Sequence, residues 1–309
     1  MPAAYAHITL VNILRETHRL QAIPGFPPEA ITAVLDYSKF CELGAVSPDY
    51  PYLAIGDANA AKWADLMHYE KTVEKIREGV RGLQAWHGEA QRKGLAWLLG
   101  YASHAAADVA IHPVINLKVG PYEKNKTAHR ICEMHQDVYI YSRLNLGASG
   151  CRSTCVPESG PVMIPTTQSG STGTSRACGA LCSERPTRRS TRKTLRTRAC
   201  WRQRFQLVVD KVAEEGGRLF PFARHVAAGL GLTYPAQEEV DAQFIRGLRT
   251  PRGTSDYDAV FDLAVEQVGR VWQWIAQAVL RGDETTLAEV GEWNLDTGRN
   301  EAGQLVFWG

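Results

Sequence analysis

The stretch Leu95-Ala-Trp-Leu-Leu-Gly-Tyr-Ala-Ser-His104-Ala-Ala-Ala-Asp108-Val-Ala-Ile-His112-Pro113 decides how the chain is read. Its apolar residues recur at three- and four-residue steps, so it belongs to a helix, predicted over His87–Ile111. Pro113 disfavours α geometry in the residue before it, and the helix is expected to stop at about His112. Positions four apart on a helix differ by about 40° in azimuth, so His104, Asp108 and His112 project from one face within about 80° of arc. The neighbours Ala105, Ala106, Ala107, Val109 and Ala110 are small and let another helix pack close.

Outward from this stretch the same periodicity continues. It predicts helices over Ile8–Leu20, Pro28–Phe40, Trp63–Val80, Tyr122–Leu144, Phe205–Leu230, Glu238–Leu248 and Tyr257–Leu280. No run of alternating β-branched residues separates them, and no solenoid repeat is present. Pro27-Pro28 and Pro48 to Pro51 bound short loops, while Gly120-Pro121 opens the helix that follows. The fold class is therefore all-α, a multi-helix bundle interrupted once.

The interruption is compositional. Residues 148–204 hold eleven of the 35 basic residues but two of the 33 acidic ones, so a basic insert sits in a net acidic body. Ser, Thr, Gly, Pro, Cys and Arg dominate it, and its lack of hydrophobic period marks a disordered or loosely held loop. A nucleic-acid-binding arm is the sharper reading, although only Trp201 and Phe205 interleave with the arginines; a disturbed coding frame is a third. Cys151/Cys155 and Cys178/Cys182 are spaced by three residues, not by the two of a zinc knuckle. The expected organisation is 1–147 as the metal-binding helical part, 148–204 as the insert, and 205–309 as helices completing the same bundle.

At 309 residues, 44% hydrophobic and 22% charged, the chain can bury a sufficient core. No run approaches about 18 uninterrupted apolar residues, which argues against a transmembrane span. The start lacks the basic and apolar regions of a signal peptide, and seven cysteines are an odd number, so a cytoplasmic protein with reduced thiols is expected.

His104 and His112 lie about 12 Å apart along the helix axis. Bonds of about 2.0–2.1 Å make it hard for both to hold one ion, so the triplet favours two ions with Asp108 placed to bridge. His129 and Glu133, again four apart, can share an ion with His112. Nitrogen and oxygen donors without thiolate suit zinc first, then manganese or iron. Each candidate has a plainer reading: His7 and His68 as satisfied core histidines, Asp49 as a turn cap after Pro48. His135, Asp137 and Asp65 are near enough in sequence to orient ligands.

In order, the chain offers His7, Asp49 within Ser47-Pro48-Asp49-Tyr50-Pro51-Tyr52, His68, His104-x3-Asp108, His112 and His129-x3-Glu133. This order resembles the zinc-dependent phospholipase C family, an all-α fold related to single-strand-specific zinc nucleases. The resemblance covers roughly residues 6–139, and Trp293–Gly298 by general character. It implies that Asp49, His68, His104 and Asp108 surround one zinc, that His112, His129 and Glu133 hold a second, and that His7 with Asp108 contributes to a third. Secreted members complete that third site with an N-terminal Trp, and the start of this chain has none. The spacing Asp108-x3-His112 is also tighter than theirs. The implied reaction is hydrolysis of a phosphodiester by metal-activated water, with Asp49 as the base. The implied substrate is a phosphate ester such as a phospholipid. The basic insert keeps a single-strand nuclease open as the alternative, and a metal-binding protein without turnover is the reading from another class.

Overall fold

The computed structural model describes residues 4–49, 51, 58–144 and 234–309. The insert at 148–204 and the expected helix over Phe205–Leu230 lie outside the described residues. Eight helices precede the gap: α1 (Ala4–Leu14), α2 (Thr17–Ala22), α3 (Pro28–Asp36), α4 (Ser38–Val46), α5 (Ala58–Tyr69), α6 (Thr72–Gln84), α7 (Gly88–Val119) and α8 (Tyr122–Tyr141). Two more follow it, α9 (Tyr257–Arg281) and α10 (Thr285–Glu289), with two small antiparallel hairpins. The all-α expectation holds. Among the described residues no helix is long and apolar enough to cross a membrane.

The long helix α7 is the axis of the bundle. Helices α1, α3, α4, α6, α8 and α9 all pack on it, and its residues from Gly94 to Ile111 are buried without interruption. The contact with α4 is the closest. A Cβ on Gly100 would collide with the Cys41 carbonyl, and one on Gly44 with the Trp97 carbonyl, so the two backbones touch where neither residue has a side chain. On the opposite side, fully buried Trp272 of α9 donates its indole N–H to the Leu99 carbonyl at 2.9 Å and to Ser103 Oγ at 2.8 Å. Trp272→Phe should therefore cost about 0.5–1.5 kcal/mol, read as a lower midpoint of denaturant unfolding, because it removes one buried donor while Ser103 Oγ keeps its bond to the Leu99 carbonyl.

Several expected helices divide, Ile8–Leu20 into α1 and α2, Pro28–Phe40 into α3 and α4, and Trp63–Val80 into α5 and α6. Two further expectations are corrected by the C-terminal part. Helix α7 does not stop at His112 but passes through Pro113 to Val119. A proline inside a helix costs about 3 kcal/mol through the lost hydrogen bond and the ring clash. Here the C-terminal segment binds across the defect. The Leu295 carbonyl accepts from His112 Nδ1 at 2.9 Å, the Asp296 carbonyl accepts from Asn116 Nδ2, and Gly298, at φ +65°, lies so close to Pro113 and the Val109 carbonyl that a Cβ would not fit.

The predicted helix over Glu238–Leu248 is instead two 3₁₀ turns, Gln237–Glu239 and Ala242–Phe244, followed by strand Leu248–Thr250 paired with Gly253–Ser255. Its apolar spacing fits a helix equally well. Gly247 at φ +58°, its N–H bonded to Asp256, turns the chain before the spacing can propagate, and the next residues alternate buried and exposed as a strand does.

Candidate metal centre

The centre is built from residues on five elements. Helix α7 supplies His104, Asp108 and His112 from one face, α1 supplies His7, α5 supplies His68, and α8 supplies His129 and Glu133. Asp49 comes from the turn after α4, where its N–H bonds the Val46 carbonyl. All are buried except His112, whose side chain is 19% exposed.

Backbone carbonyls orient the rings. His104 Nδ1 donates to the Ala45 carbonyl at 2.8 Å, His68 Nδ1 to the Ala64 carbonyl at 2.8 Å, and His112 Nδ1 to the Leu295 carbonyl at 2.9 Å. A carbonyl can only accept, so in the neutral rings the proton is on Nδ1 and the lone pair is on Nε2. All three Nε2 atoms point inward.

The Nε2 atoms of His68 and His104 are 3.2 Å apart. Asp49 Oδ1 lies 3.1 Å from the first and 3.7 Å from the second. Asp108 Oδ2 lies 3.3 Å from His104 Nε2, while its Oδ1 faces His7 Nε2 at 3.4 Å and His112 Nε2 at 3.7 Å. Two sets, His7/His104/Asp108 and Asp49/His68/His104, each offer ligand atoms within 4.8 Å of one another.

Glu133 Oε1 lies 3.5 Å from His112 Nε2. A cavity of about 20 Å³ opens among His7, Asp108, His112 and Glu133, enough for a single ion or water. His129 is buried but stands apart from both sets: its Nε2 donates to the Gly120 carbonyl at 2.7 Å, leaving Nδ1 as its free lone pair. A separate cavity of about 350 Å³, between α9 and the C-terminal hairpin, is lined by none of the eight candidate residues.

These residues fit a divalent cation, on three grounds. Two inward lone pairs 3.2 Å apart repel unless positive charge lies among them. Both oxygens of buried Asp49 and Nδ1 of buried His7 have no hydrogen-bond partner among the described residues, a costly state that metal ligation removes. Burial pushes Glu133 up to about 7 although His112 pulls it down, so the carboxylate needs more positive charge than its protein neighbours supply. Burial also acts to raise Asp108, yet His104 and His112 hold it well below the usual carboxylate range. Asp49 is likewise lowered, by His104 and His68 against the effect of burial.

Sequence reading missed the parts that carry no side-chain signal. The carbonyls of Ala45, Ala64, Leu295 and Gly120 aim four of the histidines, and nothing in residue type announces them. Asp296 was also missed; burial raises its carboxyl, with His112 opposing, which places it beside the same centre. Its only signal was the general character of Trp293–Gly298.

Among known proteins, the family model described as zinc dependent phospholipase C matches residues 6–182. No curated protein and no solved structure matches the chain. Since that match spans more than half of the sequence and all eight candidate residues, the chain belongs to the zinc-dependent phospholipase C family.

Proposed function

We propose that this protein is a zinc-dependent phosphodiester hydrolase whose substrate is a phosphate ester of the phospholipid kind. The single observation that carries the reading is the convergence of the Nε2 atoms of His68, His104 and His112 on the carboxylates of Asp49 and Asp108. Asp49, His68, His104 and Asp108 would hold one zinc; His112 and Glu133, with His129 through Nδ1, a second. His7 and Asp108 would contribute to a third. Zinc bound in such a cluster lowers the pKa of water towards about 7 and offsets the charge that grows on a phosphate under attack.

The chain's own residues do the rest. Asp49, whose Oδ1 lies 3.1 Å from His68 Nε2 and 3.7 Å from His104 Nε2, would orient the attacking water and take its proton on a carboxylate oxygen. Asp108 fixes the spacing of the imidazoles on both of its sides. The Ala45, Ala64 and Leu295 carbonyls keep each ring in the tautomer that presents Nε2.

The test uses protein purified without added zinc, with metal counted by elemental analysis and hydrolysis of a chromogenic phosphodiester followed before and after chelation. Chelation should abolish turnover and stoichiometric zinc should restore it. Single-stranded DNA that competes strongly, with activity falling steeply as salt rises, would make the enzyme a nuclease instead. Zinc bound in stoichiometric amount without any ester cleaved would leave a metal-binding protein lacking turnover.

A further inference from the structure

His7 differs from the other candidate histidines. His68, His104, His112 and His129 each have a ring nitrogen on a backbone carbonyl, whereas His7 Nδ1 is buried with no hydrogen-bond partner among the described residues. What sets the His7 ring must come from elsewhere. It stacks on His104 with centroids 3.9 Å apart, and its place along α1 is set by the backbone just before it.

That backbone is clamped. Asp137 of α8 is fully buried; its Oδ1 accepts from the Ala6 N–H at 2.9 Å, and its Oδ2 from the Tyr5 N–H at 3.1 Å and the Tyr234 hydroxyl at 3.0 Å. The Tyr5 ring is held edge-on between Tyr141 and Tyr234, 4.8 Å from each. Helix α1 has no acidic residue in its own first turn, so a side chain from another helix supplies the acceptors that its first amides lack. His129, Glu133 and Asp137 repeat at four-residue steps, so the face of α8 that presents two candidate ligands also grips the segment carrying His7.

We propose that Asp137 is a positioning residue of the metal centre: by binding the Tyr5 and Ala6 amides it holds His7 against Asp108 and so completes the site those two residues share. The proposal rests on the metal-centre reading above. Asp137 touches no ligand atom, and its effect passes through the first turn of α1.

The experiment compares wild type, Asp137→Asn, His7→Ala and the double variant in full-length protein, with His18→Ala as the control, since the His18 side chain is 75% exposed. The amide in Asp137→Asn keeps the volume but turns a donor towards a backbone N–H. Zinc affinity is measured by equilibrium dialysis against chelator-buffered zinc, and the visible spectrum is recorded after cobalt loading. Asp137→Asn should weaken the last zinc bound by about 10–100-fold, the range of lost ligand-orienting contacts. It should also shift the cobalt spectrum as His7→Ala does, and add nothing in the His7→Ala background.

Wild-type zinc affinity in Asp137→Asn overturns the proposal, and so does an equal loss with or without His7, which means general loosening. Wild type that binds no zinc overturns the metal-centre reading itself. Asp137→Ser, a shorter acceptor, is the second variant should the amide fail to fold; if both fail to fold, Asp137 serves the whole bundle and the specific role is refuted.

Discussion

Asp108→Ala will remove more zinc than any other single substitution. One carboxylate stands among three imidazoles, with Oδ1 facing His7 and His112 and Oδ2 facing His104, so its loss opens both sides of the cluster at once. His104 also faces three groups, His68, Asp49 and Asp108, but through a single nitrogen, whereas Asp108 presents two separate oxygens. Losing one preorganised electrostatic contact costs roughly 10²–10³-fold in turnover, and losing a shared ligand should exceed that, reaching about 10³-fold or more. Asp108→Asn keeps the volume and should do nearly as much harm, which separates lost charge from a simple cavity. Elemental analysis of the purified variants decides the matter: equal metal loss in His18→Ala would show that Asp108 has no special place. Helices should survive in both variants, because the core along α7 is apolar and does not depend on the ion.

The second large effect is expected from a residue that touches no ligand. Gly100→Leu should destabilise the protein by about 3 kcal/mol or more, beyond the usual 1–3 kcal/mol of overpacking, because the obstacle is backbone and cannot swing aside. Even Gly100→Ala, which gains about 1 kcal/mol of helix propensity, should lose stability on balance. A Cβ at this position runs into the Cys41 carbonyl, and α4 must move away. The movement carries the Ala45 carbonyl off His104 Nδ1, so zinc affinity should fall along with the melting temperature, by roughly 6–12 °C for Gly100→Leu. Gly291 is the control: a Cβ there meets nothing within 4 Å, and Gly291→Ala should stay within about 0.5 kcal/mol of wild type. A Gly100→Leu protein that melts like wild type would mean α4 and α7 are not in backbone contact.

Much of the helical architecture is legible in the sequence because burying one face of a helix leaves a 3.6-residue period, strongest where the run is long. The periodic run Tyr257–Leu280 ends within one residue of α9, and Tyr122–Leu144 within three of α8. Periodicity failed where local chemistry outweighs it. Gly247 turns the segment after Glu238 into a strand, and the chain near Trp63 divides into α5 and α6, with left-handed Lys71 just before α6. There α6 is capped from a distance: the Glu292 carboxylate accepts from the Val73 and Glu74 N–H groups at 3.0 and 2.8 Å, a bond no local signal foretells.

The site divides in the same way. Four-residue spacing brings His104, Asp108 and His112 to one face whatever the rest of the chain does, and likewise His129, Glu133 and Asp137, since helix geometry alone guarantees it. Which face meets which, and which nitrogen of each ring points inward, are settled by packing. Only the tertiary structure turns His129 towards the Gly120 carbonyl, lets α7 run through Pro113 because Leu295 and Asp296 bind across the break, and hands the start of α1 to a carboxylate from α8. The reason is physical: a side chain's type and period are written locally, while the partners of backbone carbonyls and amides come from segments distant in sequence, and they exist only once the core has closed.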